Sequence, residues 1–322
     1  MDLAPIILFA YNRPEHLQKT VFSLAQNELA TDSVLHIYCD GSKNSGDFDS
    51  VQKTRLIAKT TEGFKNVIVY ERSTNMGLAA NIIAGVTEIV TKYDRVIVLE
   101  DDMLTSPYFL RYMNDGLILY KDNPDVASVH AWFPPHNIKS LPDTFFLMGA
   151  DCWGWGTWQR AWSVFNPDAS VLLSEIEERN LALQFNMAGA YDYTGLLRLT
   201  ATGQVDSWAI RWLASAYLAN MYTLYPSRSL VMNFGMDGTG RHCGITDKYN
   251  FLPATEPVVV RPYAEIDENE LGRQALGNFL VSCVAPSPRK TRIEKMLLRL
   301  SLSWWKERIQ KKIGKVRKFF SK

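Results

Sequence analysis

The sequence predicts an α/β protein: a mostly parallel sheet flanked by helices, then an aromatic-rich half, then a basic amphipathic helical tail. Three observations lead there. Strand-like and helix-like segments alternate from residue 4 to residue 102, the pattern of parallel strands joined by crossover helices. Past about Pro124 that alternation gives way to stretches dense in Trp, Phe and Gly. From Arg289 to Lys322 there are 13 Lys/Arg and two acids, a net charge of +11, which leaves 22 bases and 32 acids elsewhere, a net of −10.

Each element has its own signal. APIILFAYN is an apolar run of strand length. RPEHLQKTVFSLAQN follows, with Pro near its start and apolar residues at Leu17, Val21, Leu24 and Ala25, which is helical spacing. SVLHIYCDGS reads as a second strand closing in Asp-Gly, SVQKTRLIAKTT as a helix, and NVIVYERS as a third strand. MGLAANIIAGVTEIVTKY is a helix and DRVIVLEDD a fourth strand. In open sheets of this class ligands bind beyond the carboxyl ends of the strands, where YNRP, CDGS and EDD fall. The second half, with HAWFPPHN, GADCWGWGTWQRAW, VDSWAIRW and YPSRSLVMNFGMDGTGRHCG, offers no clear period, and VAPSPRK reads as a linker. The expected division is an α/β half over residues 1–123, a second half of the same domain over 124–283, and linker plus tail over 284–322.

A chain of 322 residues with 47% hydrophobic content buries a sizeable core. Cys39, Cys152, Cys243 and Cys283 have no paired spacing, which argues against a disulfide framework or a zinc site and for a reducing compartment. The apolar N-terminal run is too short to span a membrane and has no basic segment before it, so it reads as a strand and not as a signal. Neither GxGxxG nor GxxxxGK[ST] occurs at the first strand–helix junction, so neither the dinucleotide fingerprint nor the P-loop is supported. His16, His36, His130 and His136 lack metal-ligand spacing.

The chemistry concentrates in a few stretches. Glu100, Asp101 and Asp102 close the fourth strand, and adjacent carboxylates there repel and resist desolvation. A compensating Mg²⁺ or Mn²⁺ that also bridges phosphate oxygens is one explanation; a solvated acidic loop or helix cap is the other. Arg13 suits a diphosphate and Asp40 a base or ribose, although an Asp-Gly turn explains Asp40 as well. Trp153, Trp155, Trp158 and Trp162 fall within ten residues, and indole faces suit sugar C–H faces or a loop-rich core equally. Asp206 is a general base or a helix cap. Phe234–His242 is a lid over an anionic ligand or a plain surface loop.

Taken in order, LFAYNRPEHLQKTVFSL, IYCDGS, VIVLEDDMLTSPYFLRYM, ASVHAWFPPHN, GADCWGWGTWQRAW, VDSWAIRW and YPSRSLVMNFGMDGTGRH form a set from about Ile6 to His242. The set resembles nucleotide-sugar-dependent glycosyltransferases of the GT-A, Rossmann-like fold, and most of all the group around animal N-acetylglucosaminyltransferase I with its bacterial relatives. The resemblance implies inverting, metal-dependent transfer from a nucleotide-sugar, a UDP-sugar such as UDP-GlcNAc, to a hydroxyl of a surface-glycan or lipid-linked saccharide. It implies Asp102 as the ligand of Mn²⁺ or Mg²⁺, Glu100 and Asp101 on the donor sugar and ribose side, and Arg13 and Asp40 in the nucleotide pocket. It further implies Asp206 as the catalytic base with Trp208 beside it, Trp153 and Trp155 on the acceptor side, and Asp237, Arg241 and His242 in a closing loop. Ser207 stands where the animal enzyme has a second Asp. Two other functions compete. A nucleotidyltransferase would carry a Gly-rich, Arg/Lys-bearing loop where this chain has FAYNRPEH. An inactive membrane-docked scaffold would not need intact Glu100, Asp101, Asp102 and Asp206.

In the tail, Ile293, Met296, Leu297, Leu300 and Trp304 form one helical face. Trp305, Ile309, Ile313, Val316 and Phe320 form a second, out of line with the first, so a bend near Ser301–Ser303 or two short helices is expected. Lys and Arg between them suit an interfacial helix on an anionic membrane and not a span or nucleic acid, with a helix docked on the globule or on a partner protein as the alternative; the expectation is a cytoplasmic protein peripheral on the inner face of the cell membrane.

Overall fold

The computed structural model describes residues 2–240 and 245–284. The described residues up to Leu280 form one compact unit. The tail, and with it the membrane reading, lies outside the described residues. Among the described residues no helix is long and apolar enough to cross a membrane.

Strands β1 (Ile6–Ala10), β2 (Val34–Cys39), β3 (Asn66–Glu71) and β4 (Arg95–Glu100) alternate with helices α1 (Pro14–Leu24), α2 (Phe48–Lys59) and α3 (Leu78–Tyr93). The four strands pair in parallel in the order β3-β2-β1-β4. All five residues of β1 and the four central residues of β4 are buried, because helices cover both faces; that is why these strands read as unbroken apolar runs. Every one of the seven elements expected from the sequence in this half is present, with ends moved by at most three residues.

The remaining elements are β5 (Met103–Thr105), α4 (Phe109–Leu119), β6 (Val126–His130), β7 (Thr144–Met148), β8 (Trp155–Trp158), α5 (Gln159–Trp162), α6 (Ala169–Glu178), α7 (Ala182–Phe185), α8 (Tyr193–Ala201), α9 (Trp208–Leu218), β9 (Tyr222–Pro226), β10 (Val231–Asn233) and α10 (Glu270–Val284). This half is more regular than its composition suggests. β8, β6, β9 and β7 continue the same sheet, which has eight strands in the order β3-β2-β1-β4-β8-β6-β9-β7. β8 runs antiparallel to β4 and β6, β9 is parallel to β6, and β7 is antiparallel to β9. All residues of β6 and β8 are buried, so neither shows the alternation that would mark a strand.

Tryptophans lock this half together. Trp155 stacks on Trp208 with ring centroids 5.5 Å apart, and Trp162 and Trp212 complete the cluster between β8 and α9. Trp155 is 1% and Trp208 4% exposed. In place of the acceptor-facing position expected for them, both lie in the core of this half, Trp155 among Trp162, Trp208 and Trp212, and Trp208 against Trp155. A smaller core of Leu172, Ile176, Phe185, Leu197 and Ile210 joins α6 to α9. β5 and β10 form a separate antiparallel ribbon, with Asn233 opposite Met103, directly after the acidic triplet.

Candidate functional site

β1, β2 and β4 end side by side, and that brings Arg13, Asp40 and the triplet Glu100–Asp102 to one edge of the sheet. Arg13 precedes Pro14, the first residue of α1, so its guanidinium stands at the positive end of a helix dipole. One nitrogen, Nη2, bonds both Asp101 Oδ1 and Asp102 Oδ2, the latter at 2.9 Å. The other, Nη1, is buried without a partner, and so is Asp102 Oδ1.

The triplet is electrically strained. Burial, then the neighbouring carboxylates, push Glu100 from its ordinary 4.5 up to about 8. Burial likewise raises Asp101 from 3.8 to about 7, although Arg13 opposes the shift. Burial also opposes the charge on Arg13, yet Asp101 and Asp102 outweigh it and hold the guanidinium firmly protonated.

A hydroxyl braces the backbone around Asp102. Thr20, fully buried on α1, donates to the carbonyl of Asp101 at 2.6 Å and accepts from the N–H of Met103 at 3.1 Å. Ser23, one turn further along α1, accepts from the Thr105 N–H, and Asn27, just past the helix, donates to the Thr105 hydroxyl. α1 thus supplies side-chain partners to a β5 edge that no strand covers.

Asp40 is buried and already engaged. Its carboxylate accepts from the N–H groups of Gly41, Met76 and Gly77 and from the Asn75 amide, at 2.8–3.0 Å. It fixes the loop that leads into α3, at the same strand ends as Arg13.

The loop after β10 closes over the triplet. The Phe234 N–H donates to the Asp102 carbonyl at 3.0 Å. Gly235 lies so near that a Cβ there would overlap the Asp102 carboxylate. Asp237 bonds His16 Nε2 at 3.1 Å, and the His16 ring stacks on Phe234 with centroids 5.1 Å apart. Asp237 thereby anchors the loop to α1. Arg241 and His242 lie outside the described residues.

Asp206 and Trp153 sit in other surroundings. Ser207, and not Asp206, caps α9 by accepting from the Ile210 N–H. The Asp206 side chain is 65% exposed and paired with Arg211 at 2.7 Å. Trp153 is half-buried against Trp132 and Tyr249.

Sequence reasoning passed over several contacts. Thr20 and Gly235 carried no signal, since a helical Thr and a loop Gly are ordinary. His16 had no metal spacing, yet it holds Asp237. Asp151 also escaped notice, and His130 stood out only as lacking metal-ligand spacing; His130 Nε2 accepts from the Trp153 N–H at 3.1 Å and stands 3.9 Å from Asp151.

Among the described residues no group of three or more His, Cys, Asp or Glu side chains forms a self-sufficient metal cage. What the site does offer is one buried carboxylate oxygen without a partner. That fits a Mg²⁺-like ion, which is commonly held by one or two carboxylates with substrate phosphates and water completing its shell.

A mostly parallel sheet flanked by helices, with acidic and basic groups gathered at its strand ends, is the α/β architecture that the motifs implied. By sequence, the chain is similar to the alpha-1,3-mannosyl-glycoprotein 2-beta-N-acetylglucosaminyltransferase of Arabidopsis thaliana, 24% identical over 177 residues that cover 52% of this chain and 40% of that protein. The resemblance read from the motifs and this match point to the same group. The chain spans less than half the length of this curated relative. No family model matches the chain. Similar solved structures include S. aureus TarS 1-349 in complex with UDP, at 14% identity and TM-score 0.31 over 44% of this chain and 38% of that one. Another is the mannosyltransferase PcManGT from Pyrobaculum calidifontis in complex with GDP-Man and Mn²⁺, at 14% identity and TM-score 0.29 over 42% and 39%. Structural likeness at this level carries no argument about chemistry.

Proposed function

We propose that the protein is a nucleotide-sugar-dependent glycosyltransferase that transfers a sugar, from a UDP-sugar such as UDP-GlcNAc, to a hydroxyl of a saccharide acceptor with inversion. One observation carries the reading. Arg13 Nη1 and Asp102 Oδ1, a buried cationic donor and a buried anionic acceptor, both lack partners and stand on neighbouring groups. A ligand that satisfies both brings anionic oxygens and a cation together, and a metal-bound diphosphate does so. The N-acetylglucosaminyl transfer named for the Arabidopsis relative supports the class of donor.

In this reading Asp102 Oδ1 and the diphosphate hold Mn²⁺ or Mg²⁺. When bound, the ion neutralises the charge that develops on the departing diphosphate. Arg13 turns Nη1 to diphosphate oxygens while Nη2 keeps Asp101 in place. Glu100 and Asp101, which burial makes easier to protonate, form hydrogen bonds with the sugar and ribose hydroxyls. Gly235 allows the 234–240 loop to lie against the site, and Asp237 ties it to His16. Asp206 leaves Arg211 and takes the proton of the attacking hydroxyl. The basic tail at residues 284–322 docks the enzyme on an anionic membrane, where lipid-linked or surface-bound acceptors lie.

The test is UDP release from UDP-GlcNAc, UDP-glucose and UDP-galactose with Mn²⁺. The reading expects release from one of these donors, abolished by EDTA. Release unaffected by EDTA, or none from any donor, contradicts it.

A further inference from the structure

The aromatic half contains a cavity of about 240 Å³. Its walls include the rings of Trp132, Trp153, Tyr193 and Tyr249, and its polar groups include Asp151 and Ser207. The rings brace one another: Trp153 meets Trp132 and Tyr249 edge to face, with centroids 5.0 and 5.1 Å apart.

The local sequence is shaped to build this wall. Gly149 has φ +90° and Gly154 φ +64°, values that strain any other residue. A Cβ at Gly149 would press on Leu213, and one at Gly154 on Val231. Between these two glycines the chain turns Asp151 and Trp153 to the cavity. The Asp151 carboxylate accepts from the Cys152 N–H at 2.8 Å and the Tyr225 hydroxyl at 3.3 Å. It remains 33% exposed and keeps lone pairs to spare. The Trp132 indole N–H is buried with no partner, an arrangement that is costly unless a ligand relieves it. Ring faces, one acceptor and one unused donor around a space of this size match a single sugar ring, which has apolar C–H faces and hydroxyl edges.

Packing links the cavity's lining segment to the acidic site, starting from Gly154, the neighbour of Trp153. Gly154 packs on Val231 of β10, Val231 pairs with Thr105 of β5, and three residues, roughly 10 Å of strand, lead from Thr105 back to Asp102. Ser207, next to Asp206, lines the same space.

We propose that this cavity binds one pyranose ring of the acceptor, with Trp153 under the ring, and with Asp151 and the Trp132 N–H bonded to its hydroxyls. Asp151 is here a positioning residue. That the ring belongs to an acceptor rests on the glycosyltransferase reading; that the cavity holds a sugar ring does not.

Saturation-transfer NMR with methyl β-glucoside, methyl β-galactoside and methyl β-N-acetylglucosaminide at millimolar concentration tests it. At least one glycoside is expected to receive saturation on its ring protons from the native protein. Asp151→Asn should weaken that binding about tenfold, as loss of a charged hydrogen-bond partner does, and Trp153→Leu should abolish it. Asp102→Ala should leave it unchanged. Thermal shift with UDP and Mn²⁺ separates the two readings: Asp151→Asn should respond as the native protein does. If UDP and Mn²⁺ give no shift while a glycoside still binds, the glycosyltransferase reading falls and the sugar cavity stands. If no glycoside receives saturation, or if Asp151→Asn binds it as the native protein does, the cavity proposal is overturned.

Discussion

Thr20→Val removes one hydroxyl and keeps the shape of the side chain. In the folded protein that hydroxyl serves two backbone groups that flank Asp102, the Asp101 carbonyl and the Met103 N–H, and Thr20 is fully buried. Valine leaves both groups without partners in the interior. Each such loss costs about 1–3 kcal/mol, so the pair costs roughly 2–6 kcal/mol. That is a large share of the about 5–15 kcal/mol that holds a domain folded. Thr20→Ser keeps the hydroxyl and loses only a methyl, at about 1 kcal/mol. Urea unfolding of the three proteins measures this directly as midpoint shifts at constant slope. The same hydroxyl holds the peptide that carries Asp102, so Mn²⁺-dependent binding of UDP should weaken in the valine variant and recover in the serine variant. A valine variant no less stable than the serine variant would refute the idea that α1 acts as the bonding partner of β5.

Three further outcomes follow from the same geometry. Glu100 and Asp101 keep protons in the fold that the unfolded chain gives up near pH 4, so the native state binds more protons between about pH 4 and pH 8. The stability that these two groups contribute to the metal-free protein should therefore fall as pH rises across that window: in EDTA the urea midpoint of Glu100→Gln should gain on that of the native protein between about pH 4 and pH 8, and a constant difference between the two would contradict it. Asp206→Asn should leave UDP binding near normal and lower turnover by roughly 10²-fold or more; its stability should hold, because Ser207 provides the cap. Truncation after Pro288 should abolish sedimentation with phosphatidylserine vesicles, and equal binding by the truncated protein would remove the membrane reading.

The parallel half was legible because each of its elements repeats one simple pattern. β1, β2 and β4 are apolar runs of strand length between helices with a clear period, and the acids of β4 stand out at a strand end. β6 and β8 were not, since complete burial erases alternation and glycine in WGTW argues against a strand. The tryptophans show the limit most clearly. Trp153 and Trp155 are two residues apart in one motif, yet one lines a cavity and the other is core; only packing across to α9 distinguishes them. The same holds for Asp206 and Ser207, neighbours that both suit a helix cap, of which the chain uses the second. Asp40 shows the converse: an Asp-Gly turn signal proved to mark a carboxylate bonded to a distant loop, through Met76 and Gly77.

The central claim is that the unpartnered oxygen of Asp102 and nitrogen of Arg13 receive a metal-bound diphosphate. Titration calorimetry of UDP into the protein, with Mn²⁺ and with EDTA, tests it most directly when the native protein is compared with Asp102→Ala. The account predicts that UDP binds the native protein tightly only with Mn²⁺, and that Asp102→Ala loses at least about tenfold of that affinity while its far-UV circular dichroism is unchanged. UDP binding that is indifferent to Mn²⁺, or equal in the two proteins, would contradict it.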